Sequence, residues 1–118
     1  MKKIVRWQSD YEPAEGGLPS VYYVESALAC NLRCPECAIG TDNISTRKKG
    51  LMSKETFDIL NLKIKPYAKL VYLHKWGEPT LNPLLPYMVS CVSDYAHAHI
   101  STNGTLLNDR LIGDLFQQ

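Results

Sequence analysis

The chain has 118 residues, enough for one domain around one modest core, and its 45% hydrophobic and 21% charged residues are ordinary for a globular protein. A net charge of +1 creates no global field for nucleic acid or an acidic membrane, and Arg47-Lys48-Lys49, the basic cluster, reads as solvated loop surface. No apolar run reaches the roughly 20 residues of a membrane helix, and Met1 to Gln8 begins like a secretion signal but lacks the apolar run that must follow, so a cytoplasmic location is the default expectation.

Residues 1–20 mix charge, aromatics and turn formers (Pro13, Gly16-Gly17, Pro19) and read as an irregular lead-in to a domain over 21–118. Val21 to Leu28 is rich in β-branched and aromatic residues and predicts a first strand. A long polar loop follows from Ala29 to Gly50, and a loop of that length inside a compact domain is usually functional. Ser53 is a good N-cap for a first helix, Glu55 suits its first turn, and Met52 and Phe57 stand at the positions of a hydrophobic staple. Phe57, Leu60 and Ile64 mark the apolar face of that helix and Pro66 ends it.

Leu70 to His74 is nearly continuous in apolar residues, as a buried parallel strand requires, and Gly77-Glu78-Pro79 breaks it. A second helix starts near Asn82-Pro83, with Pro86 leaving its start open by a turn, and continues through Leu85, Met88, Val89 and Val92. The third strand runs from His97 to Thr102 and ends at Asn103-Gly104; a third helix uses Leu111, Ile112, Leu115 and Phe116. The order β-α-β-α-β-α predicts a parallel α/β sheet with right-handed crossovers. Functional groups of such sheets collect on the loops after the strands' C-terminal ends, where the motifs of this chain fall.

Three of the four cysteines, Cys30, Cys34 and Cys37, lie within eight residues in the pattern C-x3-C-x2-C. A loop with such short spacers can turn three thiolates toward one point, and three thiolates can hold three irons of a cubane while leaving the fourth without a protein ligand. Arg33 adds a cation beside them, which favours thiolates. Two alternatives stand: a zinc site completed by Cys91 or by His74, His97 or His99, since structural zinc takes four ligands, and no metal at all. Cys91 lies in an apolar stretch and reads as a small buried hydrophobe. His74, at the end of a strand, reads as an ordinary polar lining residue, and His97 and His99 carry no assigned role.

The triplet resembles the signature of the radical S-adenosylmethionine (radical SAM) superfamily, and the other motifs follow in that family's order. Trp76-Gly77-Glu78-Pro79 resembles its GGEP motif, Ser101-Thr102-Asn103-Gly104 resembles the TNG element of its peptide-modifying, SPASM-type branch, and Gly50-Leu51-Met52-Ser53 looks like its usual entry into the first helix. The resemblance covers residues 21–118 and implies an incomplete parallel barrel, about three β-α units of a partial (β/α)6 barrel. It implies a 4Fe-4S cluster on Cys30, Cys34 and Cys37, and S-adenosylmethionine on its open iron, with Gly77 and Glu78 holding the methionine ammonium, Pro79 stiffening the turn, and Ser101, Thr102 and Asn103 lining the same mouth. The activity implied is reductive cleavage of S-adenosylmethionine to start radical chemistry on a peptide or small-molecule substrate, with a flavodoxin- or ferredoxin-type electron donor and no nucleic acid or membrane partner. Against the family pattern, Trp76 replaces the first glycine of GGEP, and Glu36 stands where an aromatic residue often meets the adenine. Three β-α units against six imply a fragment, inactive by itself. The alternative function is a non-catalytic metal-binding module holding zinc or a cluster.

Overall fold

A computed structural model describes residues 12–43 and 46–116. The signal-like Met1 to Gln8 lies outside the described residues. Three strands, β1 (Val21–Tyr23), β4 (Leu70–Tyr72) and β5 (His97–His99), form a parallel sheet in the order β1-β4-β5. The register aligns Tyr23 with Tyr72 and Tyr72 with His99. β4 is buried along its whole length, as its apolar run requires of a central strand. A second, antiparallel ladder pairs β2 (Ala27–Leu28) with β3 (Gly50–Leu51).

The helices α1 (Lys54–Ile64), α2 (Leu85–Ser93) and α3 (Asp109–Phe116) follow β3, β4 and β5. Ser53 caps α1, its side chain accepting from the Thr56 N–H at 3.2 Å, and Phe57 is fully buried below it. Phe57, Ile64, Leu85, Met88, Val92 and Leu115 pack from the helices onto Val71 and Leu73 of the sheet. Alternation along the strands turns Tyr23, Tyr72 and His99 to the face opposite Val71. Helices on one face and polar-aromatic side chains on the other make this three-stranded sheet compatible with a section of a partial α/β barrel.

Several boundaries differ from the sequence reading. The strand expected over 21–28 is two strands, because the Val24 N–H still bonds to Tyr72 O at 2.7 Å but Ser26 turns its hydroxyl onto Leu73 O at 2.6 Å. Gly50 and Leu51, expected at the end of a loop, pair back onto Leu28 and Ala27 and close the loop at its base. The strand expected over 97–102 stops at His99, since the Ser101 N–H turns to His74 Nδ1 at 2.9 Å. A 3-10 turn, Pro79–Leu81, intervenes before α2, which starts two residues beyond Asn82-Pro83, so that Pro86 falls in its first turn, where a missing N–H is tolerated. On α3, Leu111 and Leu115 pack on the core as expected, whereas Ile112 and Phe116 are exposed, Phe116 by 74%. No helix among the described residues is long and apolar enough to cross a membrane.

Candidate cofactor site

The cysteine loop leaves β2 and returns through β3, so the two-residue ladder forms its neck. Asn82 locks that neck from beneath: its fully buried amide donates to Ser26 O at 2.8 Å and to Met52 O at 3.0 Å, and its Oδ1 accepts from the Leu84 N–H at 2.9 Å. A buried amide survives only when so satisfied. Asn82, which in sequence marks only the approach to the second helix, shows its role at the neck through these long-range partners.

Within the loop, Cys37 N–H bonds to Cys34 O at 3.1 Å and the Thr41 N–H bonds to Cys37 O at 2.9 Å, winding the triplet into tight turns. Ile39 is the apolar anchor of the loop, at 5% exposure. Beside it, a Cβ on Gly40 would stand 2.3 Å from Cys34 O and 2.6 Å from Cys34 N, so only glycine lets the chain lie against the second cysteine. Arg47 pairs with Glu25 and Lys49 with Asp42, and the hydrogen bond from Lys49 holds the Asp42 carboxyl below its ordinary range. A cavity of about 100 Å³ lies against this segment, its wall including Cys30, Arg33, Gly40 and Lys49.

All four cysteines are free of disulfides. Cys91 is half-buried and packs on the core from α2, consistent with its reading as a small hydrophobe. Among the described residues no three His, Cys, Asp or Glu side chains gather closely enough to hold one metal ion. A cubane makes a different demand, since its three protein ligands sit on three separate irons rather than around one. Three free thiols on one loop, with a glycine cradle behind Cys34, fit such a cluster by donor chemistry.

The Gly77-Glu78 turn is docked directly on the start of this loop. A Cβ on Gly77 would stand 2.1 Å from Ala27 O and 2.7 Å from Ala29 O, and the Glu78 N–H donates to Ala29 O at 2.8 Å. Glu78 itself is 3% exposed. Its Oε1 accepts from the Thr80 N–H at 3.2 Å and from the hydroxyls of Thr80 and Thr102; its Oε2 accepts from the Asn103 N–H at 2.8 Å. Burial pushes the carboxyl up, but the hydrogen bonds from Asn103, Thr102 and Thr80 together outweigh it and hold it below its ordinary value, so Glu78 is an anion at neutral pH. Pro79 is fully buried and begins the 3-10 turn.

The three sequence motifs thus converge. Thr102 and Asn103 reach Glu78, and the Asn103 side chain reaches Cys30 and Asn31. Ser101 is exposed and engages His74 through its N–H instead. Because an N–H can only donate, that contact leaves the His74 Nδ1 unprotonated. Burial, then repulsion from His99, lowers the His74 pKa. Tyr23 stacks on Tyr72 at 4.5 Å, and His99 meets Tyr72 at 4.8 Å and His74 at 5.4 Å, forming one wall on the face of the sheet opposite Val71. Trp76 is 45% exposed and held through its N–H to Glu25 Oε1 at 3.1 Å; Glu36 is exposed.

No protein-family model matches the chain. It is 38% identical over 96 residues to the tungsten-containing aldehyde ferredoxin oxidoreductase cofactor-modifying protein of Pyrococcus furiosus; the match takes in 79% of this chain and 26% of that protein. Its fold matches the crystal structure of BtrN in complex with AdoMet and 2-DOIA with a TM-score of 0.70 at 27% identity, over 83% of this chain and 41% of BtrN. An open conformation of BtrN matches with a TM-score of 0.69 at 25% identity, over 83% and 45%. The chain therefore spans about a quarter of the curated relative and under half of BtrN. These likenesses support the radical SAM superfamily that the motifs resemble.

Proposed function

We propose that this chain is the cluster- and S-adenosylmethionine-binding part of a radical SAM enzyme, with Cys30, Cys34 and Cys37 as ligands of a 4Fe-4S cluster. The observation that carries the reading is the convergence of the Gly77-Glu78 turn, the cysteine loop and the Thr102-Asn103 turn at one place, through Glu78 N–H to Ala29 O and Asn103 N–H to Glu78 Oε2. Separate turns with no shared task have no reason to be bolted together through a buried carboxylate.

Cys30, Cys34 and Cys37 would hold three irons of the cluster and would leave the fourth for the amino and carboxylate groups of S-adenosylmethionine. When bound, the cluster supplies the electron that cleaves the sulfonium, with a flavodoxin- or ferredoxin-type donor behind it. Glu78 meets the methionine ammonium as an anion. Its Oε2 accepts one hydrogen bond, and a carboxylate oxygen has room for a second, so the ammonium is received without dismantling the network. The Gly77 carbonyl, on the same turn, gives the ammonium a second acceptor. Ser101, Thr102 and Asn103 line the mouth beyond. The Tyr23, Tyr72, His74 and His99 wall faces the barrel interior and borders the substrate space. The TNG resemblance supports a peptide substrate, and the likeness to BtrN, solved with AdoMet and 2-DOIA, supports a small molecule.

Anaerobic reconstitution tests the reading. Brown protein with iron and sulfide, lost in Cys30→Ala, Cys34→Ala and Cys37→Ala, is the expected result, with S-adenosylmethionine binding weakened in Glu78→Gln. Colourless protein with stoichiometric zinc and no sulfide would establish the alternative, a metal-binding module without catalysis.

A further inference from the structure

The Asn103 side chain is held by its own small network. Its Oδ1 accepts from the Thr105 N–H at 3.0 Å and from Thr105 Oγ1 at 2.8 Å. Since the backbone N–H can only donate, this contact fixes the amide's orientation and turns Nδ2 toward the cysteine loop. There Nδ2 donates to Asn31 Oδ1 at 2.9 Å and stands 3.9 Å from Cys30 Sγ, while Asn31 Nδ2 donates to Thr105 Oγ1 at 2.8 Å and closes the ring. The backbone N–H of Asn103 is anchored independently, on Glu78 Oε2. Cys30 Sγ also receives the Leu32 N–H at 3.4 Å. Among the described residues, no donor is found at the sulfurs of Cys34 or Cys37. The triplet is therefore asymmetric, with one donor to Cys30 from its own loop, Leu32, and one, Asn103, from 73 positions away in sequence.

We propose that Asn103 is a positioning residue for the iron–sulfur group: its Nδ2–H bond to Cys30 Sγ orients that ligand and raises the cluster's reduction potential. The inference rests on the reading that the triplet holds a cluster. One-electron reduction adds negative charge to the cluster and its sulfurs. A hydrogen bond donated to a ligand sulfur stabilises the more negative state more strongly, so it makes reduction easier. The Asn103 side chain thereby reaches from the turn after β5 to the cysteine loop.

The test is a reductive titration of the anaerobically reconstituted chain, followed by electron paramagnetic resonance of the reduced cluster. At the potential where the wild-type cluster is half reduced, the reduced-to-oxidised ratio in Asn103→Ala is expected to fall, by at most roughly tenfold, since only the difference in strength of one hydrogen bond between the two states counts. Thr105→Val, which removes a ring hydroxyl but leaves Nδ2 beside the sulfur, is expected to fall by less. An unchanged ratio in Asn103→Ala at wild-type iron and sulfide content overturns the inference and leaves the parent reading standing. Should that variant fail to retain a cluster, the wild-type chain carrying 15N asparagine reads the same contact: hyperfine coupling of the reduced cluster to a side-chain amide is expected, and its absence overturns the inference. A wild-type chain that takes up no iron and sulfide overturns the parent reading and this inference with it.

Discussion

Gly77→Ala is the sharpest perturbation of this site. An added Cβ would stand 2.1 Å from Ala27 O, 2.7 Å from Ala29 O and 2.8 Å from Ala27 C, all backbone atoms. A flexible side chain could swing aside, but these carbonyls are fixed by the β2–β3 ladder and by the Glu78 N–H bond to Ala29 O. The turn must therefore retreat from the cysteine loop. Overpacking of this kind costs about 1–3 kcal/mol, and loss of the Glu78 bond adds roughly 1 kcal/mol, so a destabilisation of about 2–4 kcal/mol is expected. Urea unfolding followed by circular dichroism measures it, as a lower midpoint at constant m-value. Gly50→Ala is the control, because a Cβ there meets nothing within 4 Å and the change should stay within about 0.5 kcal/mol. In reconstituted protein, Gly77→Ala should also lose S-adenosylmethionine binding. Wild-type stability and binding in Gly77→Ala would refute the claim that the two loops are docked through this glycine.

Glu78→Gln keeps the shape but sets an amide N–H against a donor, either the Asn103 N–H or the Thr80 and Thr102 groups, and is expected to lower stability by about 1–3 kcal/mol in denaturant unfolding. The pH dependence has a definite sign: the Glu78 carboxyl is held below its ordinary value of 4.5 in the folded chain, so its contribution is present above that value and lost as pH falls through the lower, folded one. Acid unfolding curves should therefore show a loss below about pH 4.5 that is reduced in Glu78→Gln. Asn82→Ala removes the Asn82 partner of the Met52 carbonyl and the Leu84 N–H and one of two partners of the Ser26 carbonyl, which keeps the Met52 N–H, and is expected to cost about 2–4 kcal/mol, with faster amide exchange at the loop neck.

The site gains its order from contacts that run between loops rather than along them. Asn82 fixes the neck of the cysteine loop, Gly77 lets the next turn press on it, and Glu78 draws in the turn after β5. Asn82 and Glu78 are buried polar groups with their partners supplied, and such groups specify a unique arrangement better than apolar contact does.

Much was legible in the amino-acid order because it is local. Short spacers between Cys30, Cys34 and Cys37, the Ser53 cap, the Phe57 and Ile64 face, and the apolar run of β4 act within a few residues, where backbone geometry and periodicity decide. The outer limits of β1 and β5 were not legible, since strand ends depend on where partner groups lie: Ser26 finds Leu73 O, and the Ser101 N–H finds His74. The exposed side of Ile112 and Phe116 could not be read from periodicity either, which marks an apolar stripe without saying what lies against it. Nor could the task of Asn82, or the reach of Asn103 to Cys30, because partners 56 and 73 positions apart leave no periodic trace. Folding alone brings them within hydrogen-bond distance, and only there does desolvation make each unsatisfied group expensive enough to dictate its place.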